Sequence, residues 1–271
     1  MVASAFDHTV TDFQMPHAYW LARSAKLAYA DEAAIRTTAA EWGFDRVQHL
    51  RAELDPSFPI EDVQAFAAGS DRMVVVAFRG TEPAKIQDWL SDAATLVAPG
   101  PAGKGLVHQG FSQALDAVYP QVLKAVERLR DGQQSLWFTG HGLGGALAVL
   151  ASARLYFEDP ELLANGVCTF GQPRTCDRFL AESYDEAFAA RTFRFVNNND
   201  VVAQLPPEPF HHVRDLRYFG ADGELRAKMT VLGGAADPLP GFTGDPFAPA
   251  ADGVRDHVLD RYVELVENSI S

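Results

Sequence analysis

Leu136-Trp137-Phe138-Thr139-Gly140-His141-Gly142-Leu143-Gly144-Gly145-Ala146-Leu147-Ala148-Val149-Leu150 is the stretch whose reading decides the fold of this chain. A bulky apolar run enters a Gly-x-x-x-Gly turn, and small and aliphatic residues leave it. Strand, sharp turn and tightly packed helix follow one another in this way at a nucleophile elbow, whose usual form is Gly-x-Ser-x-Gly. The middle position here is Gly142. The frame of an acyl-transfer site is present, and the residue that would attack is missing.

Working outward, Met73-Val74-Val75-Val76-Ala77-Phe78 is a continuous run of the kind expected for a strand buried on both faces. Residues 47–54 and 60–67 alternate loosely, like antiparallel strands at a sheet edge. Residues 18–29 and 110–130 carry apolar side chains at helical spacing, the second with Phe111, Leu115, Val118, Val122 and Val126 on one stripe. After the elbow helix come an expected strand at 166–170, a helix at 179–190 and a strand at 192–196. A terminal hairpin (213–219 with 225–229), a long Pro/Gly/Asp-rich loop at 237–252 and a closing helix at 255–268 complete the chain. Residues 97–104 read as a flexible surface loop. Buried strands alternating with helices imply an α/β fold with a mostly parallel, doubly wound sheet, in one domain spanning 1–271.

The chain has 271 residues, 47% hydrophobic and 22% charged, enough for one sizeable core. Its formal net charge of −13 argues against nucleic acid and against electrostatic docking on anionic lipid. No segment approaches the roughly 18 apolar residues of a membrane span. The first residues lack a basic start and an apolar core, so no signal peptide is expected. Cys168 reads as a small core residue, with a bridge to Cys176 as the lesser alternative, and the sparse thiols favour a reducing cytoplasm. No acidic or His/Cys cluster has metal-ligand spacing, so neither metal nor cofactor is expected.

Acyl transfer needs a histidine base, a carboxylate that orients it and donors for the oxyanion. With elbow first, acid second and histidine last, Asp200 in Asn197-Asn198-Asn199-Asp200 and His257 fit the chain order. Asp200 alone also reads as a turn aspartate, and Asp256 competes for the carboxylate role. His257 is expected to begin the closing helix. His141 is expected to pack under the elbow, His8, His17 and His49 to lie in packing or at the surface, and His211 and His212 to bind no metal. The backbone N–H of Leu143 and the turn Phe78-Arg79-Gly80-Thr81 are the candidate oxyanion donors.

With these pieces in order, the chain resembles the class 3 lipase family, the fungal-lipase-type α/β-hydrolases. The matching segments are Leu27-Ala28-Tyr29, Phe78-Arg79-Gly80-Thr81 with Trp89, Val107-His108-Gln109-Gly110-Phe111, and Gly140-His141-Gly142-Leu143-Gly144-Gly145. Thr169-Phe170-Gly171-Gln172-Pro173-Arg174, Asn199-Asp200-Val201-Val202, Leu205-Pro206-Pro207, His212-Val213 and Asp256-His257 follow. The resemblance implies hydrolysis of acylglycerols or related esters at a lipid–water interface. It implies Asp200 and His257 in a triad, Thr81 and Leu143 at the oxyanion hole, and a helical lid over 82–92. Ile86, Trp89 and Leu90, with Leu96, would form its lipid-facing stripe, or else pack as core. Phospholipase A1 and feruloyl-esterase activities are runners-up, because fold and triad do not fix substrate.

The departure is Gly142 where the family has serine. Loss of a triad nucleophile costs about a million-fold in turnover, so the chain as written is expected to be nearly inactive. Deliberate replacement accounts for the retained acid, base and oxyanion residues. Natural loss of catalysis in a lipid- or partner-binding protein is the alternative. A side chain at the strained elbow costs about 1–3 kcal/mol, against roughly 0.5–1 kcal/mol of chain entropy for glycine, so a stable fold is expected.

Overall fold

A computed structural model describes residues 5–55, 60–81, 96–188, 190–227 and 253–270. Its frame is an eight-stranded sheet in the order β1 (Arg46–Glu53), β2 (Asp62–Gly69), β3 (Met73–Phe78), β6 (Ser135–His141), β7 (Gly166–Phe170), β8 (Thr192–Asn197), β9 (Leu216–Phe219) and β10 (Leu225–Arg226). From β3 to β9 neighbouring strands run parallel, while β1–β2–β3 and β9–β10 pair antiparallel. The expected edge strands and buried centre are therefore observed.

The β3 sequence shows why the sheet is covered twice. Val74, Val76 and Phe78 enter one apolar cluster, and Met73, Val75 and Ala77 enter the other. Alternating side chains on a pleated strand send every second residue to the opposite face. One face receives α3 (Gln109–Leu129), α4 (Leu143–Glu158) and α5 (Arg178–Phe188); the other receives α1 (Met15–Leu27) and α6 (Leu259–Asn268). The helix α4 is buried almost all round over its first eleven residues, Leu143 to Ala153, as its small side chains require for close packing. A further helix, α2 (Glu32–Glu41), is capped by Asp31, whose carboxylate accepts from the Ala34 N–H at 2.8 Å.

Three expectations need correction. Residues 97–104 are not simply a loop: β4 (Val97–Pro99) and β5 (Leu106–His108) form an antiparallel pair. The Gly100 N–H bonds to the Gly105 carbonyl at 2.9 Å, and Gly103 and Gly105 take positive φ to close the turn. The expected closing helix over 255–268 is interrupted: residues 253–256 are helical, and α6 begins afresh at Leu259, because Val258 is extended (φ −64°, ψ 125°). His257 consequently lies in the preceding turn, its N–H bonded to the Val254 carbonyl. The α2 helix was not anticipated from the sequence. Cys168 and Cys176 are both free and buried. Among the described residues, no helix is long and apolar enough to cross a membrane.

Candidate active site

The parallel strands deliver their carboxyl ends to one edge of the sheet, the usual place for a site in such folds. Phe78 of β3 is level with Gly140 of β6, and His141 with Phe170 of β7. The chain turns at Gly142, with φ 54° and ψ −122°, and enters α4 at once. This is a backbone conformation that side chains rarely adopt, the strain expected of an elbow. The Gly142 N–H bonds to the Phe170 carbonyl at 3.0 Å, which pins the turn to β7. Flanking glycines permit the approach. A Cβ on Gly140 would strike the Gly144 backbone, and one on Gly144 would strike the Phe78 carbonyl.

His257 arrives at this turn from the far end of the chain. An ideal Cβ on residue 142 would stand 3.0 Å from His257 Nε2 and 3.4 Å from Cε1. On its other side the ring faces Asp200, with Nδ1 at 2.8 Å from Oδ2 and 3.0 Å from Oδ1. An ionised carboxylate only accepts, so Nδ1–H donates; in the neutral tautomer that this bond selects, Nε2 is the nitrogen whose lone pair faces the elbow. Asp200 is fully buried. It also accepts from the Val202 N–H at 2.9 Å and the Tyr262 hydroxyl at 2.6 Å. Tyr262 in turn accepts the Asn197 N–H at 2.9 Å. Burial and the Asp200 carboxylate hold the Tyr262 phenol well above its ordinary range, so it stays a donor.

The competing carboxylate is engaged elsewhere. Asp256 Oδ2 accepts from Asn198 Nδ2 at 3.0 Å and from the Asn199 N–H at 3.1 Å, bracing the turn that carries Asp200. His141 lies under the elbow as expected, with a defined task. Its Nε2–H donates to the His257 carbonyl at 2.6 Å, and its Nδ1 accepts from the Tyr29 hydroxyl at 2.9 Å. The two imidazoles stack with centroids 4.3 Å apart. Burial first, then the neighbouring His257, keep His141 well below the usual histidine range.

Gly80 packs against the elbow so closely that a Cβ there would collide with the His141 carbonyl and the Tyr29 hydroxyl. Thr81 follows it and is buried, and its Oγ1 has no hydrogen-bond partner among the described residues. Leu143 is the first residue of α4, where the amide has no intrahelical acceptor. Gly80, Thr81 and Leu143 line one cavity of about 210 Å³, with Ile60, Val63 and Arg79 among its other walls. A larger cavity, about 420 Å³, lies between the β4–β5 pair, α3 and the later turns of α4.

Gly142, Leu143, Thr81, Asp200 and His257 thus converge, while Ile86, Trp89 and Leu90 lie outside the described residues. Leu96, next to them in sequence, is 63% exposed. His212 Nε2 donates to the Ala203 carbonyl at 2.7 Å, and among the described residues no group of acidic, His or Cys side chains could hold a metal ion. Two residues have roles at the site that the sequence reading did not assign. Tyr262 was given no part in the site. Gly171, named only within the segment 169–174, has φ +58°, and a Cβ there would come within 2.7 Å of His257 Nδ1 and press on Asp200.

Residues 75–210 match the family description "Lipase (class 3)". The chain belongs to the class 3 lipase family. A lipase of Rhizomucor miehei is 30% identical over 173 residues, 61% of this chain and 47% of that protein. Phospholipase A1-II 1 of Oryza sativa subsp. indica is 30% identical over 165 residues, 50% of this chain and 40% of that protein. The chain spans less than half the length of these curated relatives. Among solved structures, the triacylglyceride lipase of Rhizomucor miehei superposes with a TM-score of 0.62 at 23% identity, covering 88% of this chain and 90% of that one. The lipase of Rhizopus microsporus var. chinensis gives 0.59 at 22% identity, covering 80% and 79%. These likenesses establish the α/β-hydrolase fold of this lipase-type scaffold.

Proposed function

We propose that this class 3 lipase chain is a carboxylic-ester hydrolase acting on acylglycerols, held here in a nucleophile-deficient form by Gly142. The observation that carries the reading is the 3.0 Å between the Cβ position of residue 142 and His257 Nε2. A serine at that position has its hydroxyl within reach of the base, after an adjustment of a few tenths of an ångström by the ring. Its Oγ would attack the ester carbonyl as Nε2 took the proton. The oxyanion would form against the Leu143 N–H and Thr81, and His257 would return the proton to the leaving alcohol. Water would then release the acid by the same steps.

The intact acid, base and packing glycines support replacement of a serine over long-standing loss of function. Two free, buried thiols accord with a reducing, cytoplasmic setting, although one similar protein is described as a secreted mono- and diacylglycerol lipase of Malassezia restricta. The deciding experiment compares the chain with its Gly142→Ser form on a p-nitrophenyl ester and on mono-, di- and triacylglycerols. A gain of about four orders of magnitude or more is expected. A folded serine form that stays silent overturns the hydrolase reading in favour of a non-catalytic binding protein. Faster release of acyl chains from phospholipid than from glycerides would move the substrate to phospholipase A1 type, the activity named for the rice relative.

A further inference from the structure

The helix α4 has sixteen residues and begins at the elbow without a cap: its N-cap is Gly142, which makes no side-chain hydrogen bond, and its first turn holds no acidic residue. A helix start of this kind presents unpaired N–H groups and the positive end of the helix dipole. By itself that is common. Against this start, however, stands a second and independent feature. His257 is 1% exposed, its Nε2 has no partner among the described residues, and that atom is 3.0 Å from where a side chain of the N-cap residue would begin. Thr81 Oγ1, also buried and unpartnered, lines the same cavity as Leu143.

We propose that with glycine at 142 the site binds carboxylates, with fatty acids the preferred source. One carboxylate oxygen takes the Leu143 N–H and the Thr81 hydroxyl. The other occupies the place of a serine hydroxyl and shares a proton with His257 Nε2. A carboxylate ion and a neutral imidazole both offer lone pairs, so binding takes up one proton from solvent, and the Asp200 carboxylate balances the resulting imidazolium. A serine at this position would fill the oxygen's place. The inference therefore belongs to the glycine chain, and it rests on the ester-binding reading of the site but not on catalysis.

Among the described residues, the charged and titratable groups around His257 are these. Asp200 bonds its Nδ1, Tyr262 of α6 bonds Asp200, and the neutral His141 of β6 stacks on its ring. The Asp256 carboxylate is turned to the Asn198–Asn199 turn. On the cavity rim, Asp62 is paired with Arg51 at 2.7 Å, and Glu61 and Arg79 are the other charged members. With a net charge of −13 on the chain, long-range attraction does not bring an anion here. Recognition must be local and proton-coupled.

Isothermal titration of the whole chain with sodium octanoate, sodium acetate, octan-1-ol and methyl octanoate tests this. The titrations are run at pH 7 in two buffers of different ionisation enthalpy. Octanoate is expected to bind with uptake of about one proton, and to tighten as pH falls while the ligand stays ionised. Acetate is expected to bind more weakly with the same uptake. Equal affinity for acetate and octanoate would overturn the fatty-acid preference. Gly142→Ala is expected to weaken octanoate at least tenfold, and His257→Gln to abolish proton uptake. Octanoate binding without proton uptake, octanol binding as tightly as octanoate, or no octanoate binding at all would each overturn the proposal. Hydrolysis by the serine form with no octanoate bound by the glycine form sinks this inference alone. Proton-coupled octanoate binding with a silent serine form sinks only the hydrolase reading.

Discussion

His17 and His257 are buried to the same degree, 2% and 1% exposed, but in different surroundings. His17 sits on α1, edge-on to Trp137 at 4.2 Å between centroids, and neither ring nitrogen has a partner among the described residues. Burial pushes its pKa down to about 3. His257 is covered as thoroughly, yet Asp200 bonds its Nδ1 and is itself held by Tyr262 and the Val202 amide. Burial alone makes an imidazole a neutral packing ring. A buried carboxylate with its own donors fixes one ring nitrogen as a donor and orients the other toward the elbow.

The comparison can be broken at several points. Gly142→Ser should have the largest effect, since it gives the prepared ring a hydroxyl to deprotonate; the expected gain in ester hydrolysis is about 10⁴-fold or more. In that serine form, Asp200→Asn should make His257 resemble His17, with a loss of about 10⁴-fold in kcat as the tautomer preference is lost. A loss below tenfold would mean that another group orients the ring. Tyr262→Phe removes a donor to the buried carboxylate and an acceptor for the Asn197 N–H. A destabilisation of about 1.5–3 kcal/mol in urea unfolding is expected, with reduced kcat in the serine form.

The smallest effect sharpens the other side of the comparison. Because the folded pKa of His17 lies below its ordinary 6.5, its neutral form contributes stability that is complete above pH 6.5 and is lost as pH falls toward about 3. Between pH 6.5 and 5.5 this amounts to about 1 kcal/mol. His17→Phe should remove that part of the acid slope in urea titrations, and an unchanged slope would show that His17 stays neutral in the unfolded chain or charged in the folded one.

Much of this arrangement was legible in the sequence, for a physical reason. A two-sided strand such as Met73–Phe78 must be apolar throughout, and an elbow between packed elements must be rich in glycine, so both leave marks in local composition. Asp200 and His257 fitted the chain order, and the family resemblance implied their pairing. What stayed hidden depends on partners distant in sequence. Tyr262 is chemically distinct only because Asp200 lies 2.6 Å from its hydroxyl. Gly171 matters only because the Asp–His pair passes over it. The α2 helix buries just Ile35 and Ala39, too few for a clear periodic signal, and the β4–β5 pair is three residues a side, below the length at which alternation is visible.

The strand β6 has parallel neighbours on both sides and is buried at every one of its seven residues, and the elbow amide at its end is tied to Phe170. Exchange of that amide with solvent deuterium would have to wait for the centre of the sheet to come apart, so Gly142 should exchange with the slowest class of amides in the molecule. The elbow glycine is then among the last parts of the fold to open, and a ligand would meet a surface shaped before it arrives.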